Sequence, residues 1–500
     1  MNALLVYPSY PDTFWSFKHA LKFISKKAVH PPLGLLTIAS MLPDEWDKRL
    51  KDMNVEALDD QDLDWADYVL ISAMAVQKKS VDELVSRCKK RGVKIIAGGP
   101  LFTAAHEEFE GIDHFVLNEA EVTLPIFLAD FEKGTAQPIY ASDEFPDVSQ
   151  SPIPRWDLAP MKKYVSMNIQ YSRGCPFNCE FCDITVLYGR KVRTKGKEQL
   201  LRELQSLYAS RWRGSVFFVD DNFIGNSGTL KRDILPAIIG WMKRRKHPFT
   251  FSTEASINLA DDEELMQLMV QAGFEAVFVG IETPEEESLA ECKKFQNRNR
   301  DLVGCVRKIQ RFGLRVRGGF IVGFDNDSPS IFERQIDFIQ KSGIITAMVG
   351  ILNAPRGTRL YKRIAKEGRL LKDMSGDNTD FSTNIVPKMG FARLNHGYRR
   401  IIHGIYSPKP YYDRVRNFLR DYPPMRRRPF QFHTGHIRFH FSYPGAFFKS
   451  IWSLGIRDRE RVHFWKLLFW SLFRCPRAFP MAITYAIYGF HFRKVFRNCL

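Results

Sequence analysis

The run Ser172-Arg-Gly-Cys-Pro-Phe-Asn-Cys-Glu-Phe-Cys-Asp183 places Cys175, Cys179 and Cys182 within eight residues. Three thiolates this close suit three corners of a cubane iron–sulfur cluster; a cluster held by four protein ligands needs one more cysteine. The next cysteines along the chain are Cys88 and Cys292, so no fourth is supplied locally. One iron would then stay open to a reacting ligand, by the logic that separates a catalytic metal site from a closed structural one. A zinc knuckle is the competing reading. Zinc usually takes four Cys or His ligands from paired knuckles, and no His lies within twenty residues of this run. Gly174, Pro176 and Asn178 mark the segment as a loop folded around something.

Five hundred residues exceed one ordinary domain and predict two or three. Eight cysteines, three of them in one motif, suit a reducing compartment better than a disulfide scaffold. The opening Met1-Asn-Ala-Leu-Leu-Val-Tyr-Pro8 has no basic stretch before its short apolar run, so it reads as a first strand rather than a signal peptide. No run reaches the roughly 18 apolar residues of a spanning helix. Together these predict a cytoplasmic chain. Charge is unevenly placed: residues 391–500 carry 21 Lys and Arg against 4 Asp and Glu, while residues 1–390 hold 52 of each sign. A neutral body with a strongly basic tail predicts an anionic partner surface.

Residues 1–140 alternate strand candidates (Ala3–Tyr7, Tyr68–Ala73, Lys94–Ala97, His114–Leu117) with helix candidates (Gly34–Leu42, Ser80–Arg91, Thr123–Glu132). That alternation predicts an α/β, Rossmann-like parallel sheet. Gly98 and Gly99 follow a strand, where ligands of such sheets bind, although a plain tight turn explains them too. Residues 141–165, rich in proline, read as a linker. Six further strand candidates, Asn168–Ser172, Ser215–Val219, Thr250–Thr253, Ala276–Gly280, Arg317–Val322 and Ala347–Leu352, each precede a helical pattern. Six such units over 166–360 predict a partial (β/α)6 TIM-type barrel, with chemistry on the loops after the strands. Residues 361–500 read as a mainly helical, basic, aromatic-rich region.

The Cys-x3-Cys-x2-Cys spacing, with Phe181 before the last Cys, resembles the signature of the radical S-adenosylmethionine (SAM) superfamily. The resemblance implies a 4Fe-4S cluster on Cys175, Cys179 and Cys182 whose open iron chelates SAM, and reductive cleavage of SAM to a 5′-deoxyadenosyl radical. Pro32-Leu-Gly-Leu-Leu-Thr-Ile-Ala39, Ala97-Gly-Gly-Pro100 and Asn118-Glu-Ala-Glu-Val-Thr-Leu-Pro125 resemble the N-terminal domain of the subgroup that binds cobalamin. That likeness implies cobalamin near Gly98 and Gly99. A Rossmann-like domain that has lost its cofactor is the alternative. The Asp-x-His-x-x-Gly motif that ligates cobalt in many cobalamin proteins is absent. By the same resemblance Phe181, Asp220, Asp221, Glu254 and Glu282 would lie around SAM, and Gly318 and Gly319 would pack against adenine. Helix capping explains the aspartates as well, and a bulged strand the glycines. Ala354-Pro-Arg-Gly-Thr-Arg-Leu360 is similar to a loop of the same subgroup.

In the tail, Arg426-Arg-Arg428 follows Pro423-Pro424, and Phe464–Phe473 and Ala478–Phe490 are apolar helical segments around Arg474-Cys-Pro-Arg477. Basic residues beside Trp- and Phe-rich helices suit a segment lying on a membrane surface. A packed helical domain with a basic face fits equally. Nucleic acid is disfavoured because the apolar residues come in bulky runs. The opening Tyr7–His19 and the ending Ala482–Lys494 are similar to those of hopanoid C-2 methylase-like proteins. This implies cobalamin-dependent methylation of an unactivated carbon on a hydrophobic, membrane-associated substrate, polyisoprenoid or tetrapyrrole. It also implies an electron donor such as flavodoxin or ferredoxin, and a place in the cytoplasm or peripheral on the membrane's inner face. The alternative is a radical oxidoreductase, cyclase or rearrangement enzyme without methyl transfer.

Overall fold

Short apolar strands covered by helices on both sides organise the first half of the chain. A computed structural model describes residues 1–371, 374–377, 379–422 and 444–497. Strands β1 (Asn2–Tyr7), β2 (Asp47–Asp52), β3 (Tyr68–Ser72), β4 (Lys94–Gly98), β5 (His114–Val116) and β6 (Ile139–Tyr140) form one parallel sheet in the order β2-β1-β3-β4-β5-β6. Ala3, Leu4, Leu5 and Val6 are fully buried, as expected of a strand covered on both faces. The strand order reverses between β1 and β3, and the crevice beyond the carboxyl ends at such a switch is where doubly wound sheets take ligands. Sequence patterning overlooks β2, because Asp-Lys-Arg-Leu-Lys-Asp is an edge strand that buries only Leu50 and Asp52. It also overlooks β6, a two-residue strand on the opposite edge.

After β7 (Ser166–Ile169) the chain makes a short antiparallel pair, β8 (Ser172–Arg173) with β9 (Arg193–Thr194). Then come β10 (Gly214–Phe218), β11 (Phe249–Glu254), β12 (Phe274–Glu282), β13 (Arg315–Val322) and β14 (Ala347–Ile351). Together with β7 these five make the second parallel sheet, ordered β14-β13-β12-β11-β10-β7, with helices in the connections. The strand expected at Asn168–Ser172 is therefore two pieces. The chain leaves the sheet after Ile169 because the Asp220 carboxylate accepts hydrogen bonds from the backbone N–H groups of Tyr171 (3.2 Å) and Ser172.

The C-terminal region closes the molecule. Helix Phe391–Tyr406 lies on helix Ile331–Ser342, and the Tyr406 hydroxyl donates to the Ala347 carbonyl at 2.6 Å. Helix Phe479–Val495 returns to the N-terminus: Phe492 stacks on Phe14 (centroids 4.4 Å, planes 7° apart), and His491 donates from Nε2 to the Phe14 carbonyl at 3.1 Å. That helix is thus packed rather than laid on a surface, which corrects the interfacial reading for the segment Ala478–Phe490. Helix Arg461–Arg474 is different, since it buries Phe464, Leu467, Leu468 and Ser471 and leaves other apolar residues outward. The run Arg426–Arg428 lies outside the described residues. Among the described residues no helix is long and apolar enough to cross a membrane.

Candidate active site

The loop between β8 and β9 carries all three motif cysteines, and it is shaped by one glycine. Gly174 has φ +89°, and a Cβ there would sit 2.7 Å from the Lys191 carbonyl oxygen, so only glycine fits. The Cys175 N–H donates to the Gly189 carbonyl (3.3 Å) and the Cys182 N–H to the Cys179 carbonyl (3.3 Å). All three thiols are free of disulfides. Burial pushes the Cys175 and Cys182 thiols up; Cys179 raises Cys175 further, and Asp183 followed by the two other cysteines raises Cys182 further. Buried thiols that resist ionisation together are a poor resting arrangement by themselves. A cationic group reverses that balance, because metal ligation deprotonates thiols outright. Among the described residues no three His, Cys, Asp or Glu converge tightly enough for one metal ion. Thiolates that each ligate a different iron of a cubane stand farther apart than the ligands of a single ion. Three free thiols on one short loop are the donor set that such a cluster needs, and the residues present fit it.

Around this loop sit the carboxylates. Asp220 is already engaged: it accepts from Tyr171, from the Ser172 backbone and from the Ser172 hydroxyl (2.6 Å), and so fixes the stem of the cysteine loop. Burial raises it to about 7. Asp221 accepts from the Gly174 N–H at 3.2 Å and faces a large cavity. Burial lifts it to about 6. Burial, then the charges of Asp221 and Asp220, carry Glu254 to about 8. These three are neighbours of one another, and Asp221 also acts on Cys175.

Glu282 sits on a bulge where the β12–β13 register slips, with φ +63°, and its carboxylate pairs with the buried Lys294 ammonium. Burial opposes the charge on Lys294, yet Glu282 and the Cys179 thiol hold it raised. The Lys294 ammonium also lies 6.0 Å from the Phe181 ring centroid, and Gln296 Nε2 donates to the Cys179 sulfur at 3.8 Å. Lys294 and Gln296 escape sequence reading, because nothing in Cys292-Lys-Lys-Phe-Gln296 marks which lysine turns inward. Gly318 and Gly319 make room for the chain's own rings. A Cβ at Gly319 would lie 2.7 Å from the Phe278 ring, and one at Gly318 equally close to Phe320.

The motif Asn118-Glu-Ala-Glu121 joins the two sheets. Glu119 and Glu121 are buried carboxylates that accept from Arg173, two residues before Cys175, at 2.6 and 2.7 Å. Arg193 on β9 also binds Glu119 at 2.6 Å. Burial alone would raise Glu121, but the Arg173 guanidinium holds it at about 2. The helix Arg359–Lys366, which follows β14, grips the cysteine loop from the other side: Leu360 N–H donates to the Glu180 carbonyl (3.0 Å), Arg359 to the Asn178 carbonyl, and Arg363 to the Glu180 carboxylate (2.9 Å).

Between the carboxyl ends of the two sheets lies a mostly apolar cavity of about 730 Å³. Its walls include Tyr10, Trp15 and Leu35, the strand ends at Ala73 and Gly98–Gly99, and, on the other side, Phe217, Val219 and Asp221. Gly99 has φ +88° and abuts the Ser72 hydroxyl, while a Cβ at Gly98 would collide with the Val116 carbonyl at 2.6 Å. Both glycines let backbone rather than side chains form that wall. A flat ligand held by backbone and apolar contacts at the switch point fits these residues, as it fits the cobalamin implied by the sequence. His30 also lines the cavity, and burial lowers it to about 3, so its imidazole is neutral.

Comparisons with known proteins agree with this geometry. Family models match residues 23–128 (B12 binding domain), 169–339 (Radical SAM superfamily) and 358–500 (Domain of unknown function, DUF4070). The chain is 42% identical to an uncharacterized methyltransferase of Synechocystis sp., over 98% of this chain and 91% of that one. It is 33% identical to the hopanoid C-2 methylase of Rhodopseudomonas palustris, over 94% of this chain and 89% of that one. The solved structure of the cobalamin-dependent SAM radical enzyme OxsB with aqua-cobalamin bound shares the fold. Its TM-score is 0.61 at 16% identity, covering 99% of this chain and 80% of that one.

Proposed function

Because the chain belongs to the cobalamin-dependent radical SAM methyltransferase family, we propose that it methylates an unactivated carbon of a hydrophobic, membrane-associated molecule, a hopanoid-like polyisoprenoid or a tetrapyrrole. The observation that carries this reading is the apolar cavity itself. It runs from Gly98–Gly99 on one sheet to Asp221, beside the cysteine loop, on the other. When bound, the cluster with SAM supplies hydrogen abstraction and cobalamin supplies the methyl group.

The protein's own residues position and shield. Cys175, Cys179 and Cys182 hold the cluster; Asp220 and Gly174 fix their loop. Asp221 and Glu254 face that loop as acceptors for the ammonium or ribose hydroxyls of SAM, and the Lys294–Glu282 pair offers one charge of each sign to its amino-acid end. Gly98 and Gly99 give the corrin a smooth backbone wall. Trp15, edge-on to Phe278 at 5.5 Å, and the rings around Phe14 keep water from the reacting space. Glu119, Glu121, Arg173 and Arg193 keep the two cofactor sites in register. Reduction comes from a flavodoxin- or ferredoxin-type donor, and the enzyme works at the inner face of the membrane.

The test is an anaerobic assay with methyl-deuterated SAM, hydroxocobalamin and dithionite, offered hopanoid and bacteriochlorophyllide acceptors separately. Labelled methyl in either acceptor, lost in Cys179→Ala, is the expected result. Formation of 5′-deoxyadenosine with labelled methyl in neither acceptor would overturn the proposed substrate class.

A further inference from the structure

Helix Arg461–Arg474 breaks the usual rule for surface helices. One face buries Phe464, Leu467, Leu468 and Ser471, yet the opposite face carries Phe469 (53% exposed), Leu472 (45%) and Phe473 (76%) where polar residues belong. The segment just before it does the same. Phe448 (68%), Trp452 (57%) and Ile456 (50%), spaced four apart, point outward while Ser450 and Leu454 are buried. Trp465 ties the two segments together: its indole N–H donates to the Gly455 carbonyl, next to Ile456 (2.9 Å), and Phe469 stacks on its ring (5.6 Å). A contiguous exposed patch of large rings marks a contact surface.

Charge identifies the occupant. Residues 444–478 hold seven Lys and Arg against two acids, Asp458 and Glu460. Asp458 is turned toward Arg493 of the packed helix at 3.8 Å, which leaves the surface more basic still. Arg457, Arg459, Arg461, Lys466 and Arg474 are all exposed. Protruding Phe and Trp ringed by Arg and Lys match an anionic lipid headgroup layer above acyl chains. A second copy would set basic against basic. Lys449, at the start of the patch, donates to the Lys22 carbonyl (3.3 Å) and the Ser25 hydroxyl (3.1 Å), close in sequence to the cavity-lining stretches at Thr13–Ser16 and Val29–Leu35.

We propose that Phe448, Trp452, Ile456, Phe469, Leu472 and Phe473 form an insertion face that docks the enzyme on anionic membranes. This rests on the reading that the enzyme works at a membrane, and it assigns the contact to residues 448–474 rather than to the tail as a whole.

Flotation of the full-length protein with phosphatidylcholine vesicles, with and without phosphatidylglycerol, tests it. The variants are Phe469→Ser/Phe473→Ser, Phe448→Ser/Trp452→Ser and Lys466→Glu/Arg474→Glu. Wild type is expected to float with the anionic vesicles, and each double variant to partition at least about tenfold more weakly. Unchanged dithionite-driven SAM cleavage and an unchanged circular dichroism spectrum show that the variants are folded. Wild type that ignores both vesicle types removes the membrane reading and this face with it. Wild type and variants that float alike overturn the face while leaving the membrane reading intact. Variants that only convert a dimer to a monomer by light scattering, or only lose RNA capture, also overturn the proposal.

Discussion

Two neighbouring helices of the basic tail are alike in their wealth of large apolar residues and differ in how they are packed. Arg461–Arg474 and Phe479–Val495 are both rich in aromatic and aliphatic residues and both end in basic ones. The second is built to be enclosed. Ala482, Ala486 and Gly489 allow close approach, and a Cβ at Gly489 would lie 2.4 Å from the Tyr411 ring. Its Tyr485 carbonyl accepts from the Tyr411 hydroxyl at 2.7 Å, and Phe492 fills the space beside Phe14 and Tyr406. The first helix has one small residue on its packed face, Ser471, and bulky rings on the other. Small residues and ring partners let the second helix become core.

The same Phe→Ala change should therefore give opposite results in the two helices. Phe492→Ala removes a fully buried ring and is expected to cost about 3–5 kcal/mol. Loosening the Phe14 wall should also weaken corrin retention. Chemical denaturation with absorbance of retained cobalamin measures both. Gly489→Val comes next, with an overpacking cost of about 1–3 kcal/mol by the same denaturation, since Tyr411 is fully buried and has no room to move.

Below these stands an electrostatic effect at the cavity. The folded-state value of Glu254 is about 8, above its ordinary value, so the native protein keeps this proton after the unfolded chain has lost it. The site costs nothing below pH ~4; stability then falls as pH rises toward about 8 and levels off above, and the stretch from about pH 7 to 9 alone is worth on the order of 1–2 kcal/mol. Asp220 and Asp221 complete their share by about 7 and about 6. Thermal melts of the apoprotein from about pH 7 to 9 should show a decline that Glu254→Gln abolishes. A decline that persists in Glu254→Gln would place its origin elsewhere. The smallest effect is Phe473→Ala, expected within about 0.5 kcal/mol of wild type in the same denaturation. A loss like that of Phe492→Ala would show that the outward ring is packed after all.

What the sequence discloses follows the range of the interactions. The cysteine loop and the order of the barrel strands are local patterns, legible in spacing and in short apolar runs. Edge strand β2 is not, because its Asp-Lys-Arg-Leu-Lys-Asp pattern reads as surface. The pairing of Ser172–Arg173 with Arg193–Thr194 spans about twenty residues of loop and leaves no periodic trace. Glu119 and Glu121 are visible as part of a motif, yet their partners Arg173 and Arg193 become apparent only in three dimensions. Likewise Glu282 is readable as a strand-end carboxylate, while its lysine is not. The tail shows the limit most clearly, since composition gave both helices the same reading and packing separated them.

The proposed chemistry needs one chain to hold a cluster on Cys175, Cys179 and Cys182 and a corrin in the crevice between its two sheets. The direct measurement is iron content, corrin absorbance and 5′-deoxyadenosine yield after anaerobic reconstitution, for wild type and for Cys175→Ala/Cys179→Ala/Cys182→Ala. Wild type should hold about four irons and a corrin and cleave SAM; the triple variant should keep the corrin and lose both the iron and the cleavage. A triple variant that still builds the cluster, or a wild type that retains neither cluster nor corrin, would contradict the account.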